Sequence, residues 1–244
     1  MVAPRFVDLH SHVVPSGDDG AQTLAQGLEL CELAARSGTG VLYATPHVSP
    51  VVPLTDARER AVRAAFEELR ELAPVELRLG WELTPWPALL REEPARYALE
   101  GTDAVLVEVP FLGPADGFLA LAEHIEAAGL TPLVAHPERT EAVRTDPDLP
   151  RRLAERGWPL QVNATSLLGR HGQEADEIGR RLVEDGLAAA VASDGHRLTR
   201  PARLDDAYEL VTRRVGEEAA APLFDGSAVT SARRLPSRAA VPGA

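Results

Sequence analysis

Short apolar runs alternate along this chain with longer amphipathic stretches. The apolar runs lie near 4–9, 40–44, 75–80, 104–109, 131–135, 159–163 and 187–192, and each reads as a strand. Helical patterns fill the gaps, near 21–37, 56–73, 87–98, 116–129, 146–157, 173–186 and 204–220. The first places Leu24, Leu28, Cys31 and Ala35 near a helical period and stops at Gly38 and Gly40. The second carries Val62, Phe66 and Leu69 on one face. Seven βα units, repeating about every 25–35 residues, predict an α/β protein with a parallel sheet or barrel. No linker interrupts the series, so residues 1–244 read as a single domain, and 237–244 (SRAAVPGA) lack any period and read as a frayed tail.

In βα barrels, chemistry sits at the C-terminal ends of the strands. Five of the seven histidines fall where a predicted strand runs out, and carboxylates join them. His10 and His12 follow the first strand, His47 the second and Glu82 the third; Glu108 closes the fourth, His136 follows the fifth, and Asp194 and His196 follow the seventh. One barrel mouth would gather them all.

The individual motifs differ in specificity. In Asp8-Leu9-His10-Ser11-His12, two imidazoles at i and i+2 of an extended segment point the same way and can chelate one ion. Asp8 is placed to orient a ligand histidine through its second nitrogen. Asp18-Asp19-Gly20 reads either as a capping turn before the first helix or, beside HSH, as a source of ligand carboxylate. Glu108, inside VLVEVPF, is costly to bury unless paired or metal-bound, which assigns it a functional role. His136-Pro137-Glu138-Arg139 ends one strand, and Ser193-Asp194-Gly195-His196 repeats the i, i+2 geometry at another, with Arg197 and Arg200 on the loop beyond. His124, mid-helix, and His171, in a polar loop, read as surface groups. Trp81 and Trp86 read equally as pocket lining or packing. Asn163 ends the sixth strand within reach of the site.

Composition narrows the chemistry. The chain has 244 residues, 45% of them apolar, enough for a sizeable core. There is no lysine, which excludes Schiff-base chemistry. The net charge of −12 disfavours nucleic acid as a partner. The lone cysteine, Cys31, sits in an apolar helical pattern and reads as core. With no signal-type segment and no run of the roughly 18 apolar residues of a membrane span, the chain is expected to be cytoplasmic and not membrane-inserted.

The segments DLHSHVVPSGDDGA, ATPH, GWEL, VEVPF, AHPER, QVNATS and SDGHRLTRP, in that order, resemble the PHP (polymerase and histidinol phosphatase) superfamily. Within it they look most like the bacterial capsule-type protein-tyrosine phosphatases, over roughly residues 6 to 226. The resemblance implies a distorted seven-stranded (β/α)7 barrel and three divalent ions, usually manganese, with iron and zinc as alternatives. It places His10, His12, Glu82 and Asp194 around one ion, lets Glu82 bridge to a second held by Glu108 and His136, and gives the third to Asp19, His47 and His196. Arg139 and Arg200 match family arginines that grip phosphate, so Arg139, Arg200 and Glu108 are the expected catalytic residues. Val48 and Thr140 depart from the family, which usually has histidine and tyrosine there.

The implied chemistry is hydrolysis of phosphotyrosine on a protein substrate, a bacterial tyrosine kinase tail in capsule or exopolysaccharide regulation. Clustered divalent ions lower the pKa of bound water from about 15.7 toward neutrality, and the resulting hydroxide attacks phosphorus in line. Two other readings stand beside it: a small-molecule phosphomonoesterase such as histidinol phosphatase, and a non-catalytic metal-binding PHP module.

Overall fold

The structure is a computed structural model that describes residues 6–230, so the tail expected at 237–244 lies outside the described residues. The described residues form nine strands: β1 Phe6–Ser11, β2 Thr39–Ala44, β3 His47–Val48, β4 Glu76–Leu79, β5 Glu82–Leu83, β6 Ala104–Glu108, β7 Thr131–Ala135, β8 Leu160–Asn163 and β9 Ala188–Ala192. Every ladder pair among them is parallel. The seven expected strands are recovered once β2 with β3, and β4 with β5, are taken as interrupted strands. Pro46 cannot donate a backbone hydrogen bond, and it falls at the first break. The neighbours stay tied across both breaks: Gly80 N donates to Ala44 O at 2.9 Å and Glu82 N to Pro46 O at 3.2 Å.

Hydrogen bonding divides the strands into a three-stranded sheet, β1-β2-β4, and a six-stranded sheet, β3-β5-β6-β7-β8-β9. The barrel is not a closed ladder. β1 meets the end of β9 through one bridge, Ser11 to Gly195, with His12 N donating to Gly195 O at 2.7 Å and Asp194 N to His10 O at 2.9 Å. That seam carries the histidines of the first motif onto the Asp194 loop.

Strand alternation explains the burial. Ala104 and Leu106 of β6 cluster with Leu133 and Ala135 of β7, Ala190 and Ala192 of β9, Leu9 and Tyr43. Val105, Val107 and Val134 face the other way and join the cluster containing Phe118, Leu121 and Ile125 of helix α3 (Asp116–Ala127 here, numbered after α1 and α2 below). Glu108 shares the parity of Ala104 and Leu106.

The helices α1 (Leu24–Arg36), α2 (Asp56–Leu72), α4 (Glu141–Thr145), α5 (Leu149–Glu155), α6 (Ala164–Leu167), α7 (Gln173–Glu184) and α8 (Asp205–Val215) complete the layer. α1 starts later than 21 because Thr23 caps it, accepting from Gln26 N at 3.2 Å. Its buried side is Gly27, Leu30, Cys31 and Ala34, with Leu24, Leu28 and Ala35 only partly buried against the core. The helix expected over 87–98 is two 3₁₀ turns, Pro87–Arg91 and Pro94–Tyr97, because Pro94 breaks the stretch. The one expected over 146–157 begins at Leu149 with Pro150 in its first turn, and that over 204–220 is broken at Gly216, whose φ is 85°. Trp81 is core, 1% exposed. Among the described residues, no helix is long and apolar enough to cross a membrane.

Candidate metal centre

Among the described residues, two non-glycine residues have positive φ, and both are expected site residues: His136 at 33° and Asp194 at 51°. Each stands just past a strand, β7 or β9, where the chain turns sharply to aim a side chain back across the strand ends. Left-handed backbone is disfavoured for side chains with a Cβ, and such strain gathers at functional sites. Gly195 follows because a Cβ there would lie 2.6 Å from the Ala202 backbone.

Four of the expected ligands meet on one carboxylate. Glu82 Oε2 lies 3.1 Å from His10 Nε2, 3.2 Å from His12 Nε2 and 3.0 Å from His47 Nδ1. Its other oxygen, Oε1, faces His136 Nε2 at 2.9 Å. Asp194 Oδ1 lies 3.4 Å from both His10 Nε2 and His12 Nε2, and 3.3 Å from His196 Nδ1. Asp19 Oδ1 is 3.5 Å from His47 Nε2 and 3.3 Å from His196 Nε2. Three sets of donor atoms lie within 4.8 Å of one another: His12, His47 and His196; His10, Glu82 and His136; His10, His12 and Asp194. Asp19 and Glu108 stand outside these tight sets. Asp19 is 64% exposed at the rim, and Glu108 is held at the end of β6 by a hydrogen bond from the Thr84 hydroxyl to Oε1.

A directional chain of hydrogen bonds fixes the state of His10. The Asp194 carboxylate only accepts, so Asn163 Nδ2 donates to its Oδ2 at 2.7 Å. Asn163 Oδ1 then accepts from Gln161 Nε2 at 2.8 Å, and Gln161 Oε1 accepts from His10 Nδ1 at 2.9 Å. His10 therefore carries a proton on Nδ1, which leaves Nε2, 3.2 Å from His12 Nε2, as the ring atom open to a cation. His12 Nδ1 faces Asp18 Oδ2 at 3.4 Å, which leaves its Nε2 free in the same way. Two imidazole Nε2 atoms facing each other beside a buried carboxylate oxygen with no hydrogen-bond partner among the described residues (Glu82 Oε2) form an arrangement that a divalent cation, displacing the ring protons, would satisfy.

The electrostatics agree. Burial opposes charge on His47, but the Glu82 carboxylate prevails and pushes its pKa up to about 10. Burial also opposes the imidazolium of His12, yet Asp18, Asp194 and Glu82 raise it well above the usual range. His196 goes the other way, held down at about 4 by burial and by His12. Burial and the neighbouring Glu82 charge lift Glu108 to about 7. Acids and imidazoles this close contend for protons whose place a metal can take.

Both expected phosphate-gripping arginines reach the same carboxylate. Arg139 NH1 donates to Asp194 Oδ2 at 3.0 Å, and Arg200 NH2 to Asp194 Oδ1 at 3.0 Å. One expectation is overturned. Asp8 does not orient a histidine ring; its Oδ1 accepts from the backbone N of Ser193 at 3.0 Å and of His10 at 3.4 Å, pinning β1 to the end of β9. Gln161 holds His10 instead. Asp18, left open between a turn and a ligand, does both kinds of local work: it accepts from Gly20 N at 3.0 Å and His47 N at 3.0 Å and faces His12. Gln161, Thr84 and Glu138 were not among the expected site residues; the one available signal for Gln161 was an amide inside an apolar strand. His124 is half-buried at the surface, its Nε2 3.1 Å from Glu92 O. His171 is not a simple surface group: its Nδ1 is 2.9 Å from Ser166 Oγ.

Residues 6–230 match the family described as "Capsular polysaccharide synthesis, CpsB/CapC". The chain belongs to this family. The tyrosine-protein phosphatase YwqE of Bacillus subtilis strain 168 is 31% identical over 221 residues, covering 87% of this chain and 86% of that protein. The tyrosine-protein phosphatase CpsB of Streptococcus pneumoniae is 25% identical over 241 residues, covering 90% and 95%. A crystal structure reported for YwqE from Bacillus subtilis and CpsB from Streptococcus pneumoniae, described as unique metal-dependent tyrosine phosphatases, superposes with a TM-score of 0.80 at 31% identity, over 89% of this chain and 90% of that one. An organophosphorus hydrolase from Deinococcus radiodurans, at 14% identity and a TM-score of 0.56, shares the fold alone. The CpsB/CapC match accords with the PHP-type resemblance of the sequence motifs.

Proposed function

We propose that this CpsB/CapC chain is a metal-dependent protein-tyrosine phosphatase of capsule or exopolysaccharide regulation, working in the cytoplasm as one domain. The observation that carries the reading is the meeting of His10, His12, His47 and His136 on the two oxygens of one buried glutamate, Glu82. Three divalent ions fit this donor set, with manganese favoured and iron or zinc compatible. His10, His12, Glu82 and Asp194 would hold one; Glu82, Glu108 and His136 the second; Asp19, His47 and His196 the third. When bound, the ions supply hydroxide near neutral pH and neutralise charge on the phosphoryl group.

The chain's own residues supply the rest. Gln161 and Asn163 keep His10 Nε2 aimed inward. Asp18 does the same for His12, and Thr84 fixes Glu108 Oε1. Arg139 and Arg200 converge on one point and present planar forks suited to phosphoryl oxygens. The Cys31 thiol takes no part, since it is fully buried in α1 and burial pushes its pKa up to about 12. The expected substrate is a phosphotyrosine protein, a bacterial tyrosine kinase. The test compares a phosphotyrosine peptide with histidinol phosphate at matched concentrations, with and without chelator. Chelator-sensitive preference for the peptide supports the reading. Preference for histidinol phosphate would favour a small-molecule phosphatase, and metal-loaded protein inert toward both a non-catalytic module.

A further inference from the structure

His171 lies in a built environment. Glu138 Oε1 accepts the backbone N–H of Asn163 at 3.1 Å, so it is an acceptor, and it also takes the Ser166 hydroxyl at 2.7 Å. With its proton turned to Glu138, Ser166 Oγ is left to accept from His171 Nδ1 at 2.9 Å. Nδ1 thus carries the ring proton, and the imidazole is anchored in one orientation. Burial, then the charges of Arg139 and Arg200, hold its pKa down at about 4, so the ring is uncharged at neutral pH.

This ring borders a cleft of about 380 Å³ that it shares with Phe111, Arg139 and Arg144. Phe111 stacks on His136 with centroids 5.4 Å apart, and the Arg139 guanidinium lies 4.6 Å from its ring centre. Phe111 nevertheless remains 42% exposed. Since His136 and Arg139 both also reach the buried carboxylates, the cleft opens directly beside the candidate metal centre. It joins a phosphate-type cation to two uncharged aromatic rings. That is the chemistry of an aryl phosphate, whose ring is offered flat or edge-on contact while its phosphoryl group meets the arginine.

We propose that this cleft is the aryl subsite for the leaving group, with Phe111 and His171 as specificity-determining residues that favour tyrosyl over seryl and other alkyl phosphates. The proposal rests on the phosphatase reading above and adds which residues read the substrate. Phe111 contacts the ring, and the Glu138–Ser166 pair holds His171 as a second fixed border of the same cleft. The deep burial of Glu82, Asp194 and His136 favours a long aromatic side chain that carries its phosphate well beyond the peptide backbone.

The test uses the full metal-loaded chain, two peptides of one sequence carrying phosphotyrosine or phosphoserine, and their non-hydrolysable phosphonate counterparts. kcat/KM is measured for the first pair and Kd for the second. In Phe111→Ala the aryl-over-alkyl ratio should fall about tenfold by both readouts, as loss of an aromatic contact implies. Phe111→Tyr should restore it. His171→Asn keeps a donor for Ser166 but removes the ring, and should lower the ratio several-fold. Misfolding would depress both substrates together and leave the ratio of the folded fraction intact. A ratio within about twofold of the parent's in both Phe111→Ala and His171→Asn would overturn the subsite while leaving the phosphatase reading in place. A parent chain that hydrolyses neither peptide would remove the reading on which the subsite rests.

Discussion

Replacing Gln161 by leucine tests how the centre is held without touching any expected ligand. Gln161 is fully buried on β8 and makes two side-chain hydrogen bonds, to His10 Nδ1 at 2.9 Å and to Asn163 Oδ1 at 2.8 Å. Leucine has similar bulk and can make neither. His10 Nδ1–H and Asn163 Oδ1 are then buried without partners, each costing about 1–3 kcal/mol, so the fold should lose about 2–6 kcal/mol. The metal should suffer separately, because His10 no longer has its tautomer and ring orientation fixed. Loss of such an outer partner lowers metal affinity about 10–100-fold, or about 1.4–2.8 kcal/mol. Competition between the protein and a fluorescent chelator for Mn²⁺ measures the second effect, and thermal melts of the metal-free chain measure the first. A Gln161→Leu chain that binds manganese within about threefold of the parent would show that the relay from Asp194 to His10 does not set the site.

Other substitutions separate binding from chemistry. Arg139→Ala should keep its metal, by elemental analysis, and lose about 10²–10³-fold in kcat/KM for a phosphotyrosine peptide, with lysine only a partial rescue. Gly195→Ala should shift the 195–202 loop, since its Cβ would sit 2.6 Å from the Ala202 backbone; a cost of about 1–3 kcal/mol and weaker metal binding are expected, read by melt and chelator competition. Cys31, with its pKa raised to about 12, remains a thiol below that pH; at pH 8 the folded chain should resist iodoacetamide and keep full activity, while the unfolded chain is labelled, as mass spectrometry would show. Alkylation that abolished activity in the folded state would contradict the assignment of Cys31 to the core.

Strands buried on both faces leave near-continuous apolar runs, which is why β6, β7 and β9 were legible to within a residue or so. Pro46 marks the end of the second run in the sequence, but the continuations β3 and β5 were not legible, because two residues each are too short to show a period. Helical periodicity misled at 87–98, where Pro94 breaks a pattern that local apolar spacing supports. The expected ligands could be read because all but Asp19 lie at or near the C-terminal end of an apolar run, a rule of topology that needs no coordinates. Their partners could not. Gln161, Thr84 and Ser166 act through hydrogen bonds that close only after separate segments pack, such as the 151-residue separation of His10 and Gln161. His171 looked like a loop residue for the same reason. Asp8 sits beside His10 in sequence, yet β1 is tied to the end of β9 through its carboxylate, so its Oδ1 goes to backbone.

The central claim is that side chains from most of the polypeptide meet to hold the cations that make this chain a phosphatase. Metal content and phosphotyrosine hydrolysis, measured on the same sample before and after chelation, test it most directly. The account predicts three divalent ions per chain, loss of hydrolysis on their removal, and recovery when manganese is returned. Undiminished hydrolysis by protein carrying less than one ion per chain would contradict it.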